Sequence, residues 1–406
     1  FSQNKIDYFP IGLIIGFIAV LYLLYSGLNQ TQILEFISFK TLIFIFSMQI
    51  IIYYATSDKV LEYIGLKIIH VTKGNNRVFF YIICIFTSFM VAFIEDLSLS
   101  LIMVPLIYRT CRVLKIPAGT YLMGMTITIN IGAILTPISS LKNFIVSKQF
   151  GWGFGEYIGN MGILFIITLL ITIISLDYFV LRKEEKPTER NKELLFSMLK
   201  PSVVIEKKTS TIIIFTFVFM IIGFEPALVS IISAAILLLV HSKSSSFSDL
   251  KEEISWRIII IFAILFILSN SLTTFGFADF VSTTLLNLIK GNIFLAVLLV
   301  LSLSSIMSAF LAGTPVTIML LPIISSIINQ GLFPNPIIIA FIGGVNMAGN
   351  FLPQGSACDL LTLNLAKKHN VKNLNYRRLL KYGSIFAFIH FALILGYTML
   401  YILILA

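Results

Sequence analysis

Charged residues are scarce in this sequence. Only 12% of its 406 residues are Asp, Glu, Lys or Arg, whereas 58% are hydrophobic, and soluble domains carry about 25% charged residues. Cysteine (3) and histidine (4) are also rare, and their spacing fits no disulfide framework, zinc site, haem site or phosphate-binding loop. These absences argue against a soluble globular domain, a disulfide-stabilised scaffold and a metalloenzyme. They leave an integral membrane protein that needs no cofactor.

The apolar residues occur in runs long enough for roughly ten membrane spans of about 20 residues each. No small-residue cleavage site follows the first run, so we expect a retained helix rather than a signal peptide. Because the chain starts at Phe1, we expect a few residues to precede it in the native protein. His390 lies inside the last run, and we expect it to pack between helices rather than to bind a metal.

The basic residues indicate the topology. If segment 182–208 is cytoplasmic, and segments 78–107 and 293–324 each enter and leave by one side, then 25 of the 29 Lys and Arg residues are cytoplasmic. This pattern predicts a multi-pass protein of the cell membrane with a cytoplasmic N-terminus and an extracellular C-terminus. The net charge of +10 then reflects topology and contact with the lipid bilayer, not binding of nucleic acid. Glu225 is expected to be a solvated turn residue.

A weak internal repeat relates segment 41–107 to segment 258–324 at an offset of 217 residues, and it continues with one residue of slip. In an apolar chain, such a repeat is typical of secondary transporters whose substrate site lies at the repeat interface. The corresponding positions are Ser88/Ser305, Met90/Met307, Pro105/Pro322, Asn130/Asn346, Pro137/Pro353 and Ser140/Ser356.

Each repeat contains two apolar segments that small and polar residues interrupt. Irregular backbone at membrane depth is tolerated only where it is buried in protein or lines a wet cavity. We therefore predict an all-α polytopic membrane protein with two inverted repeats, each with a re-entrant helical hairpin and a discontinuous helix. The predicted parts are an N-terminal half 1–181 (hairpin 78–107, broken helix 121–149), a cytoplasmic linker 182–208, and a C-terminal half 209–406 (hairpin 293–324, broken helix 336–367).

Four of these segments, taken in order, resemble motifs of the ion transporter superfamily. They are "VAFIEDLSLSLIMVPL" (91–106), "NIGAILTPISSLKN" (130–143), "SAFLAGTPVTIMLLP" (308–322) and "GNFLPQGSACD" (349–359). The superfamily includes arsenite efflux pumps, citrate-type and divalent-anion symporters, sodium/proton antiporters and the P protein. The resemblance covers 41–406 and implies an elevator-type carrier, often a homodimer, with a mobile domain around a site near the membrane midplane.

The sequence also departs from the superfamily pattern. The usual hairpin Asp-Asn is Glu95-Asp96 in the first repeat and Ala312-Gly313 in the second, and Asp359 stands where Asn is usual. The Ser-Asn-Thr hairpin tips of the dicarboxylate symporters are absent, which argues against a dicarboxylate as substrate.

The carboxylates are the strongest candidates for binding a coupling ion. A carboxylate at membrane depth costs about 2.5–3.5 kcal/mol on insertion scales, and such residues are usually ion or proton relays. We assign Glu95, Asp96 and Asp359 to the coupling proton or Na⁺. Lys142 either holds an anionic substrate or neutralises Glu95 or Asp96. The predicted substrate-binding residues are Ser98, Asn130, Thr136, Ser140, Lys142, Asn143, Thr314, Thr317, Asn346, Asn350, Gln354 and Ser356.

Two functions fit these residues. The first is a secondary active transporter that moves a small anion or metalloid oxyanion, arsenite-like or carboxylate, coupled to H⁺ or Na⁺. The second is a Na⁺/H⁺ antiporter in which the three carboxylates bind the cation directly. A channel would need a continuous polar path that the repeat does not require, and no nucleophile–base pair of an enzyme is recognisable.

Overall fold

The computed structural model describes residues 8–37, 39–60, 63, 75–93, 96–183, 207–222, 224–242, 254, 256–310, 313–371 and 373–405. Over these ranges the regular structure is entirely helical. Most of the predicted linker 182–208 lies outside them.

Eight α-helices are described in the first half of the chain. Polar residues cap two of them: Asn29 accepts a hydrogen bond from the backbone N–H of Gln32, and Asn75 accepts from those of Arg77 and Val78, which satisfies donors that have no partner within the helix. The helices are α1 Tyr8–Tyr25, α2 Gln30–Glu35, α3 Phe39–Ser57, α4 Asn76–Met90, α5 Asp96–Leu114, α6 Ala118–Gly132, α7 Leu141–Gln149 and α8 Phe154–Phe179.

Nine α-helices are described in the second half. Two of them begin at a proline, Pro226 and Pro334, which suits a first turn because its backbone donors need no helical partner. They are α9 Lys207–Ile222, α10 Pro226–Val240, α11 Trp256–Thr274, α12 Phe277–Ile289, α13 Ile293–Phe310, α14 Gly313–Asn329, α15 Pro334–Met347, α16 Ala357–Lys368 and α17 Tyr376–Leu405.

By length and apolar composition, three helical stretches of the described chain suffice to cross a membrane. They are Phe154–Lys183, Ile293–Phe310 and Tyr376–Ile404. Several other apolar helices are shorter, among them α4 and α14.

The first interruption separates α6 from α7. Gly132 ends α6, Pro137 supplies no backbone donor, and the next helix begins only at Leu141. Two side chains satisfy the carbonyls that α6 leaves unpaired: Asn143 Nδ2 and Ser139 Oγ both donate to Ala133 O at 2.5 Å. Side chains of the interruption therefore replace the missing helical hydrogen bonds.

The second interruption separates α15 from α16 and contains two short 3₁₀ turns, Ala348–Asn350 and Pro353–Gly355. Ser356 then caps α16, since its hydroxyl accepts a hydrogen bond from Asp359 N at 3.4 Å. Both broken helices therefore resume at a serine, Ser140 in the first repeat and Ser356 in the second.

The two repeats pack in a crossed arrangement. Within each repeat, the first helix of the hairpin packs on the first part of the broken helix, as α4 does on α6 and α13 on α15. The next helix crosses to the other repeat, so that α5 packs on α16 and α14 packs on α7. Each interruption is therefore flanked by residues of both repeats.

The buried apolar side chains divide the helices into two bodies. We call α4–α6, α8 and α12–α17 the large body, because their residues share one continuous hydrophobic core. We call α1–α3 and α9–α11 the small body, because their residues form two separate smaller cores.

Helix α7 lies between the two bodies. Phe144 packs in a core of the small body, Val146 in that of the large body, and Ile145 in a small cluster with Phe266 of α11 and Ile318 of α14. Three successive residues thus contact three different clusters. Movement of one body against the other would have to repack α7.

Candidate functional site

The two interruptions meet at a pair of asparagines. Asn346 Nδ2, near the end of α15, donates to Asn143 Oδ1 of α7 at 2.7 Å and to Ile342 O at 2.8 Å. Both side chains are buried, with 0–1% exposure. The Asn346 Oδ1 atom is buried without a protein partner. Since buried polar atoms are nearly always paired, this oxygen is a candidate contact for solute or water.

Asn130, near the end of α6, also links the two interruptions. Its Nδ2 donates to Asn350 Oδ1 at 2.8 Å, and its Oδ1 accepts from Ser356 Oγ at 3.2 Å. Its side chain also lies within hydrogen-bonding reach of the Asp359 carboxyl group. In the repeat, Asn130 corresponds to Asn346 and Asn143 to Asp359. At this matched pair of positions the first repeat therefore has an amide and the second a carboxylate.

Asp359 is the buried acid of the site. It lies in the first turn of α16 with 2% exposure, and its Oδ1 atom has no protein hydrogen-bond partner. The Asp96 carboxylate, at the start of α5, lies close enough to interact with it electrostatically. The adjacent residue, Cys358, contacts Ser100 of α5 at 2.8 Å between Sγ and Oγ. Because an isolated buried carboxylate is costly, this part of the site is suited to a proton or a small cation.

Lys142 supplies the positive charge of the site. It is the second residue of α7, and its Nζ lies 3.5 Å from Val345 O. None of the ion pairs formed by described residues involves Lys142. The preceding Ser140 Oγ is buried without a partner. A helix N-terminus with an ammonium and an unpaired hydroxyl is suited to binding an anion.

Gly313 of α14 and Lys142 of α7 lie against each other. A Cβ atom at Gly313 would lie 3.1 Å from Lys142 Nζ and 2.8 Å from Val345 O. A side chain at 313 would therefore displace the lysine. The second hairpin therefore has no side chain at position 313, and the Lys142 side chain of α7 lies against that position.

The structure does not bring every predicted residue to this centre. Thr136 donates to Ala92 O, and Thr317 to Gly313 O at 2.9 Å, so both hydroxyls serve the backbone. Gln354 is exposed and accepts from Tyr376. Thr314 is half-buried in the first turn of α14. Two further predicted residues, Glu95 and the side chain of Ser98, lie outside the part of the chain that the structure describes.

Two residues that the sequence did not assign to the site support it. His390 of α17 is fully buried, with Nε2 2.9 Å from Thr172 Oγ1 and Nδ1 3.5 Å from Asn350 Nδ2. Ser308 Oγ donates at 2.9 Å to Val345 O, the carbonyl that Lys142 also approaches. His390 was expected to pack between helices; it does so, and it also contacts an asparagine of the site.

Comparisons with known proteins agree with this architecture. The chain matches the citrate transporter family over residues 5–344. It is 24% identical over 401 residues to an uncharacterized transporter of Methanocaldococcus jannaschii, covering 98% of this chain and 99% of that one. It is 20% identical over 427 residues to the human P protein, covering 84% of this chain and about half (51%) of that one.

A solved structure shares the fold. The YdaH transporter of Alcanivorax borkumensis superposes with a TM-score of 0.58 at 10% identity, covering 88% of this chain and 84% of that one. The expected resemblance to the ion transporter superfamily is confirmed, and these relatives indicate a carrier rather than an enzyme. With a family match over most of its length and two broken helices meeting at its centre, the chain belongs to the citrate transporter family and is a multi-pass membrane transporter.

Proposed function

We propose that the protein is a secondary active transporter of a small anion, either a carboxylate or an oxyanion of the arsenite-like class. The anion binds between Lys142 and Ser140 at the start of α7. The coupling ion, H⁺ or Na⁺, binds at Asp96 and Asp359. The observation that carries this proposal is the half-buried lysine, which none of the ion pairs among the described residues neutralises.

Charge balance explains the coupling. With both acids ionised, Asp96, Asp359 and Lys142 together carry a charge of −1, which opposes entry of an anion. One bound cation or proton brings the three groups to neutrality, and a second makes them positive. Since Asp96 lies within electrostatic range of both Asp359 and Lys142, a cation at the acids strengthens anion binding at the lysine.

The division into two bodies supports an elevator mechanism. The site lies between the large body and the start of α7, and the side chains of α7 contact both bodies. We propose that the large body carries the site across the membrane while the small body stays fixed, in a homodimer of the cell membrane. The excess of basic residues on one side supports a cytoplasmic N-terminus.

A Na⁺/H⁺ antiporter is the second candidate. The unpartnered Asp359 Oδ1 and the nearby Asp96 carboxylate favour it, because oxygen ligands suit a small cation. In such an antiporter, the only role of Lys142 would be to neutralise an acidic side chain of the site.

Transport by purified protein in proteoliposomes distinguishes the two. We would impose a pH or Na⁺ gradient, supply labelled citrate, arsenite or sulfate, and compare wild type with Lys142→Gln. A charge-assisted hydrogen bond contributes about 1.5–3 kcal/mol, so loss of the ammonium should raise KM for the anion by roughly 10–150-fold. Asp359→Asn should instead remove the dependence on the gradient. The control is Lys290→Gln, in an exposed turn before α13.

One result would establish the antiporter in place of the anion carrier. In that result, Na⁺ alone collapses the pH gradient in the wild type. The Lys142→Gln variant still shows this collapse, and the Asp359→Asn variant does not.

A further inference from the structure

A separate cavity of about 270 Å³ lies beside the C-terminal end of α7. Its walls come from α7, from the turn that joins α7 to α8, and from the turn between α9 and α10. Pro137, within the first interruption, lines it, as do Ser147 and Lys148 of α7, Trp152, and Glu225 next to α10. The cavity therefore extends between the small body and the broken helix of the site.

An ion pair links α7 to the small body at this cavity. Lys148 Nζ lies 3.0 Å from Glu225 Oε1, and Lys40 Nζ of α3 lies 3.7 Å from the same oxygen. Glu225 therefore lies in the turn expected from the sequence, and it is ion-paired there as well. Both side chains stay partly exposed, 48% for Lys148 and 36% for Glu225. Exposed pairs of this kind contribute little to stability, so another anion can readily replace Glu225.

Helix α7 carries a lysine at each end. Lys142 lies in its first turn and Lys148 in its last, six residues apart, or about 9 Å along the helix axis. The first belongs to the central site and the second to the cavity. The two lysines are therefore separated by less than two turns of one helix.

We propose that this cavity is an outer docking site for the anionic solute, in which Lys148 exchanges its Glu225 partner for the incoming anion. The identity of the solute rests on the proposed function. The charge selectivity of the cavity does not depend on it.

Cysteine labelling of the purified protein tests the proposal. Gly153 lines the cavity, has a φ of −68°, and has open space where a Cβ atom would lie, so Gly153→Cys introduces a thiol there without strain. Gly155→Cys is the matched control: it lies two residues further on, also in open space, and outside the lining. The three native cysteines are buried, so the introduced thiol reacts first.

The measurement is the ratio of labelling rates for an anionic and a cationic methanethiosulfonate reagent. One unit charge about 8 Å away in water changes the two rates in opposite directions, and hence their ratio by roughly five-fold at low ionic strength. Lys148→Gln should lower this ratio at Gly153→Cys, and Glu225→Gln should raise it. Citrate, used as the probe, should slow labelling at Gly153→Cys only while Lys148 is present, and should leave Gly155→Cys unaffected.

A ratio that does not respond to Lys148→Gln, or citrate protection that is equal at both cysteines, would overturn the docking site. The proposed function fails differently. Citrate protection at Gly153→Cys without anion uptake into proteoliposomes would contradict anion transport and leave the docking site standing.

Discussion

Gly132 marks a close approach of α6 to α4. It is the last residue of α6, and a Cβ atom there would lie 2.1 Å from Ser88 O and 2.5 Å from Val91 Cγ1. Non-bonded carbon and oxygen atoms rarely approach closer than about 3.3 Å. Gly132→Ala therefore forces α4 and α6 apart by about 1 Å, directly before the first interruption.

The expected cost follows from this displacement. Overpacking a close-packed interior costs about 1–3 kcal/mol, and the obstacle here includes backbone, which cannot rotate away. For a chain of this size we expect an apparent melting temperature lower by about 1–4 °C. Transport should fall further, because α4 leads to Ala92, whose carbonyl accepts the hydrogen bond from Thr136 in the interruption.

The buried thiols Cys84, Cys111 and Cys358 provide the assay, since a thiol-reactive dye reports their exposure during heating. The control is Gly159→Ala in α8, where a Cβ atom meets nothing within 4 Å; it should be neutral or slightly stabilising, because alanine favours helix. If Gly132→Ala melts and transports like Gly159→Ala, the close approach of α4 and α6 is not what positions the interruption.

Two further predictions concern ion pairs at the helix ends. Asp177 is buried and receives hydrogen bonds from Arg77 Nε at 3.0 Å and from Tyr81 at 3.1 Å. Asp177→Ala should therefore lower the free energy of unfolding by about 2–3 kcal/mol. Arg182 is a more distant and exposed partner of Asp177, so Arg182→Gln should change the thiol-exposure melting curve little. The hydrogen bond from Lys148 lowers the pKa of Glu225 below its ordinary 4.5, so its contribution is present above that pH and is lost as the pH falls through the lowered pKa. Wild type should therefore be more stable than Glu225→Gln near about pH 7 and should lose this advantage as the pH falls through the lowered pKa; a stability difference that persists in strong acid would contradict this assignment.

The interruptions were predictable from the sequence because their causes are local. Proline lacks a backbone donor whatever surrounds it, and Pro137 and Pro353 occur at matched positions of the repeat. The amides Asn130 and Asn346 could be assigned to the site for the same reason. An apolar helix tolerates an amide only where a partner exists, and the repeat placed both amides beside a break.

The partners of these residues were not predictable. The sequence does not show that Asn346 bonds Asn143 across 203 positions, or that Glu225 reaches Lys148 of another helix. Both contacts depend on how the repeats cross. His390 escaped assignment because a single histidine in an apolar helix has no periodic counterpart, and its contact with Asn350 arises only from packing of α17 against the second interruption.

The crossed packing of α5 on α16 and of α14 on α7 has a consequence for biosynthesis. When α7 leaves the ribosome, the helix that will cover it is about 180 residues from completion, which at 5–20 residues per second means a wait of about 10–40 s. During that time the charged Lys142 must be held at the membrane without Val345 and Gly313 beside it. Neither half can complete its own part of the site, so translation of the second half sets the earliest moment at which the first becomes functional.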